Sequence, residues 1–186
     1  MNICPVDELR SLFLDRGFAR YADSVRQVDH ALRCATLAER EGAPAWLVTA
    51  ALTHDIGHLL ISEDNRDEAS IDDDRHEQVG ADWLSSRFDS RVAQLVGAHV
   101  AAKRYLCATE PGYMRSLPLA CQRTLALQGG PMCSAEIERF NAYAHAAEAL
   151  RLRRWDEKSQ FTLDESSRLE HFLSIARLAL PRPRFA

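Results

Sequence analysis

THDIGHLL, residues 53–60, closes the apolar run AWLVTAAL with an adjacent histidine–aspartate pair, His54 and Asp55, and places His58 one helical turn further on. Aspartate is rarely buried unless it is paired or bound to metal. An aspartate among Leu, Ile and Ala therefore needs a partner. Residues 45–60 read as one helix that starts after Pro44, since proline suits a helical first turn. Neighbouring residues on a helix project about 100° apart. From a regular helix His54 and Asp55 cannot both reach one ion comfortably. A carboxylate between two ions, with a histidine serving each, resolves the conflict and makes Asp55 a bridge.

Helical patterning continues on both sides. VDELRSLFLDRG is amphipathic and stops at Gly17; SVRQVDHALRCATLAEREG sets Val28, Leu32 and Ala35 on one side and stops near Gly42. RHEQVGADWLSSRF and SRVAQLVGAHVAAKRYL are two helices divided near Asp89, and LACQRTLAL ends at Gly129, Gly130 and Pro131. SAEIERFNAYAHAAEALRLRRWDEK reads as one long helix, and residues 164–180 as the last. NRDEASIDDD, residues 65–74, is an acidic loop, and EPGYMRSLP a turn-rich link. No period-two pattern competes. The expected fold is all-α, a single helical bundle over residues 1–186.

Composition narrows the function. The net charge of −4 declares no basic face for nucleic acid. No run of 18 apolar residues offers a membrane span, and the acidic N-terminal segment lacks a signal-peptide pattern. A cytoplasmic protein is expected. Five cysteines, odd in number and without CxxC spacing, imply reduced, mostly buried thiols rather than a zinc knuckle or a disulfide framework.

His30, His54, His76 and His99 fall on four different helices at separations of 24, 22 and 23 residues. Each step is about one helix plus a loop, so a bundle can point all four at one place. Imidazole with carboxylate suits Fe, Mn or Zn. Asp156 lies downstream in LRLRRWDEK. His145 and His171 read as ordinary helix residues.

Together, VDH (28–30), HDIGH (54–58), His99 with Lys103, LALQGGPM (125–132) and LRRWDE (152–157) resemble the HD-domain mixed-valent di-iron oxygenases of organophosphonate catabolism. The resemblance spans residues 8–160. It implies two iron ions, one held by His30, His54, Asp55 and Asp156, the other by Asp55, His76 and His99. It also implies a phosphonate-binding shell of His58, Lys103 and Arg153, with a hydroxyl contact at Thr124 or Ser116. Lysine and arginine suit phosphonate oxygens in any case, arginine through a bidentate fork. Arg154 reads as a solvated charge. Gly129 and Gly130 are expected to end a helix in left-handed geometry and let the backbone approach the site, and Gly57 to permit close packing.

The implied reaction uses O2 as co-substrate. Oxygenation at C1 of a 1-hydroxyphosphonate breaks the C–P bond and leaves a carboxylate and inorganic phosphate. An Fe(II)/2-oxoglutarate-dependent hydroxylase would supply the substrate. The resemblance further implies a gating tyrosine and an acidic residue that meets the substrate amine; Tyr21 and Asp23 occupy this region. Asp23 is one methylene shorter than the expected glutamate. A trimethylammonium group needs more room and an aromatic face, so (R)-1-hydroxy-2-(trimethylammonio)ethylphosphonate, giving glycine betaine, is preferred over (R)-2-amino-1-hydroxyethylphosphonate, giving glycine. Two rivals are a metal-dependent HD phosphohydrolase and a regulatory helical domain with a vestigial site.

Overall fold

Pro5 opens the first helix, α1 (Pro5–Arg16), where its missing N–H goes unneeded. Asp7 and Glu8 in the first turn suit the positive end of the helix dipole. A computed structural model describes residues 3–18, 20–21, 25–61, 75–159 and 168–181. After α1 come two two-residue strands, β1 (Arg20–Tyr21) and β2 (Val25–Arg26), then α2 (Gln27–Arg40), α3 (Ala45–Thr53), α4 (Ile56–Leu60) and α5 (His76–Ser85). The chain continues through α6 (Ser90–Thr109), α7 (Tyr113–Ser116), α8 (Leu119–Leu127), α9 (Ser134–Asn141), α10 (Ala146–Lys158) and α11 (Leu169–Arg177). The fold is all-helical, as expected. The short antiparallel pair, Arg20 with Arg26 and Tyr21 with Val25, was not anticipated.

Helices α2, α3, α6 and α10 pack on one another around Leu32, Leu47, Leu95 and Leu152, all fully buried. Helix α11 covers α3 with Phe172 and Leu173, and α1 covers α11. Each such side chain contributes about 1.5–3 kcal/mol by leaving water. That apolar frame lets the same helices carry charged groups inward.

Three local expectations change. The helix expected over 45–60 breaks at the histidine–aspartate pair: α3 ends at Thr53, and Asp55 leaves helical geometry (φ −102°, ψ 14°) before α4 begins. Thr49 and Thr53 donate their hydroxyls to the carbonyls of Ala45 and Thr49, a back-bonding that bends helices. The long helix expected over 134–158 divides at residues 142–145. There the Tyr143 hydroxyl donates to the Gln94 carbonyl and the His145 ring meets Trp46, so tertiary contacts redirect the chain. The link over 110–118 contains the short helix α7. Of the helix expected over 164–180, Leu169–Arg177 is helical and residues 164–167 lie outside the described set, as does the acidic loop. The cysteines are reduced, but only Cys34 is fully buried and Cys133 is exposed. Among the described residues no helix is long and apolar enough to cross a membrane.

Gly57 meets its expectation. A Cβ there would lie 1.9 Å from the His76 carbonyl oxygen, so only glycine lets α4 approach the start of α5. Gly129 and Gly130 adopt left-handed conformations (φ 93° and 70°) and end α8. Their backbone approaches Arg104, whose Nε donates to the Gly130 carbonyl at 2.8 Å, rather than the histidines.

Candidate metal centre

Five elements converge on one point. His30 comes from α2, His54 and Asp55 from the α3–α4 break, His76 from the first position of α5, His99 from α6 and Asp156 from α10. His30 and His54 are inaccessible to solvent, and the other four are buried. His30 Nε2 lies 3.1 Å from His54 Nε2, and His76 Nε2 lies 3.1 Å from His99 Nε2. Asp55 sits between the pairs. Its Oδ2 is 3.6 Å from His30 Nε2 and 3.4 Å from His54 Nε2. Its Oδ1 is 3.5 Å from His76 Nε2 and 3.6 Å from His99 Nε2. Asp156 Oδ1 joins the first pair, 3.1 Å from His30 Nε2 and 3.6 Å from His54 Nε2.

The hydrogen bonds behind three of the rings, His30, His54 and His99, determine their tautomers. Carbonyl oxygens only accept, so His54 Nδ1 donates to Ala51 (2.9 Å) and His99 Nδ1 to Val96 (2.7 Å). The single proton of the Ser159 hydroxyl goes to the Asp156 carbonyl at 2.6 Å. Ser159 Oγ therefore accepts from His30 Nδ1, 2.8 Å away. In a neutral ring a protonated Nδ1 leaves Nε2 as a bare lone pair. The bare nitrogens of His30 and His54, 3.1 Å apart, repel each other unless a cation lies with them. Asp156 Oδ1, buried without a hydrogen-bond donor among the described residues, needs the same thing. The donor set fits a metal at each pair: His30, His54 and Asp55 can hold one ion and Asp55, His76 and His99 another, with Asp156 adding a carboxylate to the first.

Charge points the same way. Burial works against ionising Asp55, yet His54 beside it holds its pKa well below the usual range. Burial works against charging His54, yet the Asp55 carboxylate lifts its pKa well above the usual value, so this ring draws a cation, proton or metal, to its Nε2. Burial and the neighbouring His76 push His99 down to about 3, which keeps it a neutral donor. Burial pushes the Cys34 thiol up, so this sulfur near His54 stays protonated.

Beside the metal positions stands a buried pair of cations. Lys103 and Arg153 are each 4% exposed. Burial, and then the charge of Arg153, lower the Lys103 pKa. Lys103 Nζ donates to Thr124 Oγ1 at 3.2 Å. Ser116, the other hydroxyl considered, is exposed and turns back to the Tyr113 carbonyl. Arg153 Nη1 donates to Asp156 Oδ2, so Asp156 faces the first metal position with one oxygen and the arginine with the other. His58 stacks on His76 with ring centroids 4.0 Å apart. The Tyr21 side chain and Asp23 lie outside the described residues. His145 packs against Trp46 and Tyr143, and exposed His171 pairs with Glu39, both away from the cluster. Arg154 pairs with Glu110.

Ser159 escaped the sequence reading. Its only signal is its place three residues after Asp156, on the same helical face. Ser159→Ala removes the acceptor that orients His30. Metal affinity at the first position is expected to fall roughly 10–100-fold, the usual effect of losing such a partner. The second position should be unaffected, which a two-site metal titration reads directly.

An HD domain model matches residues 28–127. The chain is 42% identical over 153 residues to a hydroxymethylphosphonate dioxygenase of Gimesia maris, covering 82% of this chain and 76% of that protein. It is 36% identical over 173 residues to a [1-hydroxy-2-(trimethylamino)ethyl]phosphonate dioxygenase (glycine-betaine-forming) of Leisingera caerulea, covering 92% and 88%. The chain therefore belongs to the HD-domain family and, within it, to the oxygen-dependent phosphonate dioxygenases.

Proposed function

We propose that the protein is a di-iron oxygenase that cleaves the C–P bond of a small 1-hydroxyphosphonate. The observation that carries this reading is the juxtaposition of two metal positions, joined by Asp55, with the buried cations Lys103 and Arg153. The two named relatives act on compounds with one shared feature, a hydroxyl on the carbon that bears phosphorus. Irons held by His30, His54, Asp55 and Asp156, and by Asp55, His76 and His99, would supply oxygen activation and oxidation at that carbon.

The residues do the rest. Lys103 and Arg153 offset the phosphonate charge, which their own proximity in a buried place leaves them poised to accept. Thr124 orients Lys103, and Asp156 ties Arg153 to the first metal position. The reaction balances with one O2. The C1–H and C–P bonds give up two electrons each, carbon and phosphorus each gain one oxygen, and no external reductant is consumed.

Within this class, the substrate favoured here is (R)-1-hydroxy-2-(trimethylammonio)ethylphosphonate, giving glycine betaine and phosphate. Asp23 supports it in sequence, being one methylene shorter than the glutamate the resemblance implies and so suited to a bulky cation. The second reading is hydroxymethylphosphonate, favoured by the higher identity of 42% against 36%. The test is kcat/KM in air for these two compounds, for the primary-amine analogue and for a phosphate monoester. A preference of roughly tenfold or more, about 1.4 kcal/mol, for the trimethylated compound is expected. Dominance of hydroxymethylphosphonate selects the second reading, and turnover of the monoester alone overturns the oxygenase.

A further inference from the structure

Tyr113 opens α7, the four-residue helix that follows Gly112, whose φ of 83° turns the chain back after α6. The side chain is buried, packed with Leu106 and Leu117, and Arg154 covers its ring 5.1 Å from the centroid. Its hydroxyl accepts from Arg153 Nε at 3.3 Å, a donor that Glu157 Oε1 shares at 3.2 Å. With Nη1 donating to Asp156 Oδ2, three groups hold the guanidinium plane. The Tyr113 oxygen receives the Arg153 proton, but its own phenolic proton has no acceptor among the described residues. A buried hydroxyl normally finds one.

We infer that Tyr113 is a further anion-binding residue, whose hydroxyl both fixes Arg153 and donates to a phosphonate oxygen of the substrate. This rests on the reading that Lys103 and Arg153 receive a phosphonate. A phenol suits the task. It is protonated at neutral pH, it adds a donor without adding a third buried charge, and its ring is locked by packing before the ligand arrives.

The test uses Tyr113→Phe, which keeps the ring and its packing, in the metal-loaded full-length protein. Inorganic phosphate is the binding probe by calorimetry, and KM and kcat are measured on the 1-hydroxyphosphonate that wild type turns over best. Phosphate binding weaker by roughly tenfold, the effect of a lost hydrogen bond to a charged group, is expected. KM should rise by a similar factor, with kcat within about twofold and metal content and Tm unchanged. Phosphate affinity and KM within about twofold of wild type would overturn the role of Tyr113 and leave the phosphonate reading standing. Loss of Tm and metal together would overturn it as well, by showing a purely structural residue. A wild type that neither binds phosphate nor turns over any 1-hydroxyphosphonate overturns the substrate reading, and this inference with it.

Discussion

Asp55→Ala is expected to empty both metal positions at once. Among the described residues no other side chain offers one oxygen to the His30–His54 pair and the other to the His76–His99 pair. Removing it leaves the His76–His99 pair without its carboxylate and the His30–His54 pair with Asp156 alone. The loss of activity should exceed the roughly 10–100-fold that follows loss of an outer partner. His171→Ala provides the control, since His171 is exposed and bonded to Glu39. Metal analysis of the two purified variants decides the matter. Full occupancy in Asp55→Ala would remove the bridge from the description of this site.

Gly57→Ala is expected to be the most damaging small substitution outside the metal donors. The added methyl carbon would sit 1.9 Å from the His76 carbonyl oxygen and 2.7 Å from its carbonyl carbon. These are backbone atoms, so no rotamer change relieves the clash. The start of α5 must move, and His76 moves with it. Overpacking of this kind costs on the order of 2–3 kcal/mol, a fall of about 5–10 °C in Tm for a chain of this size. The second metal position should weaken more than the first. Gly97→Ala is the internal contrast: its methyl would meet only the Ala81 Cβ, at an ordinary 3.4 Å. There alanine should be neutral or raise stability by up to about 1 kcal/mol through helix propensity. Thermal melts of both variants separate the two cases.

Much of this site was legible in the chain. Spacings of 24, 22 and 23 residues between histidines on successive helices announce a bundle with a common focus, because each helix must turn one face inward. The adjacent aspartate told that the focus was charged. What escaped were features without a side-chain signature. The break at Asp55 has no glycine or proline ahead of it; the bend comes with threonine back-bonding, and Gly57 lets α5 approach closely. That break also changes the geometric argument. Once Asp55 leaves the helix, its Oδ2 comes within 3.4 Å of His54 Nε2, so neighbours in sequence can serve one ion after all, while Oδ1 reaches the other pair. The carbonyls of Ala51 and Val96 that orient His54 and His99 are backbone groups, invisible to motif reading. Sequence favoured Thr124 over Ser116 for the hydroxyl contact, and the fold sets Thr124 against Lys103. Tyr113 looked like part of a turn-rich link, since nothing local says that its hydroxyl reaches Arg153.

The most direct test of a two-metal site that breaks C–P bonds with oxygen is a paired measurement on iron-loaded protein: O2 consumed and phosphate released from a 1-hydroxyphosphonate, with and without air. One O2 per phosphate, no need for a reductant during turnover, and no phosphate under anaerobic conditions are expected. Phosphate released at an undiminished rate without oxygen would contradict the oxygenase chemistry and leave a hydrolase built on the same histidines and aspartates.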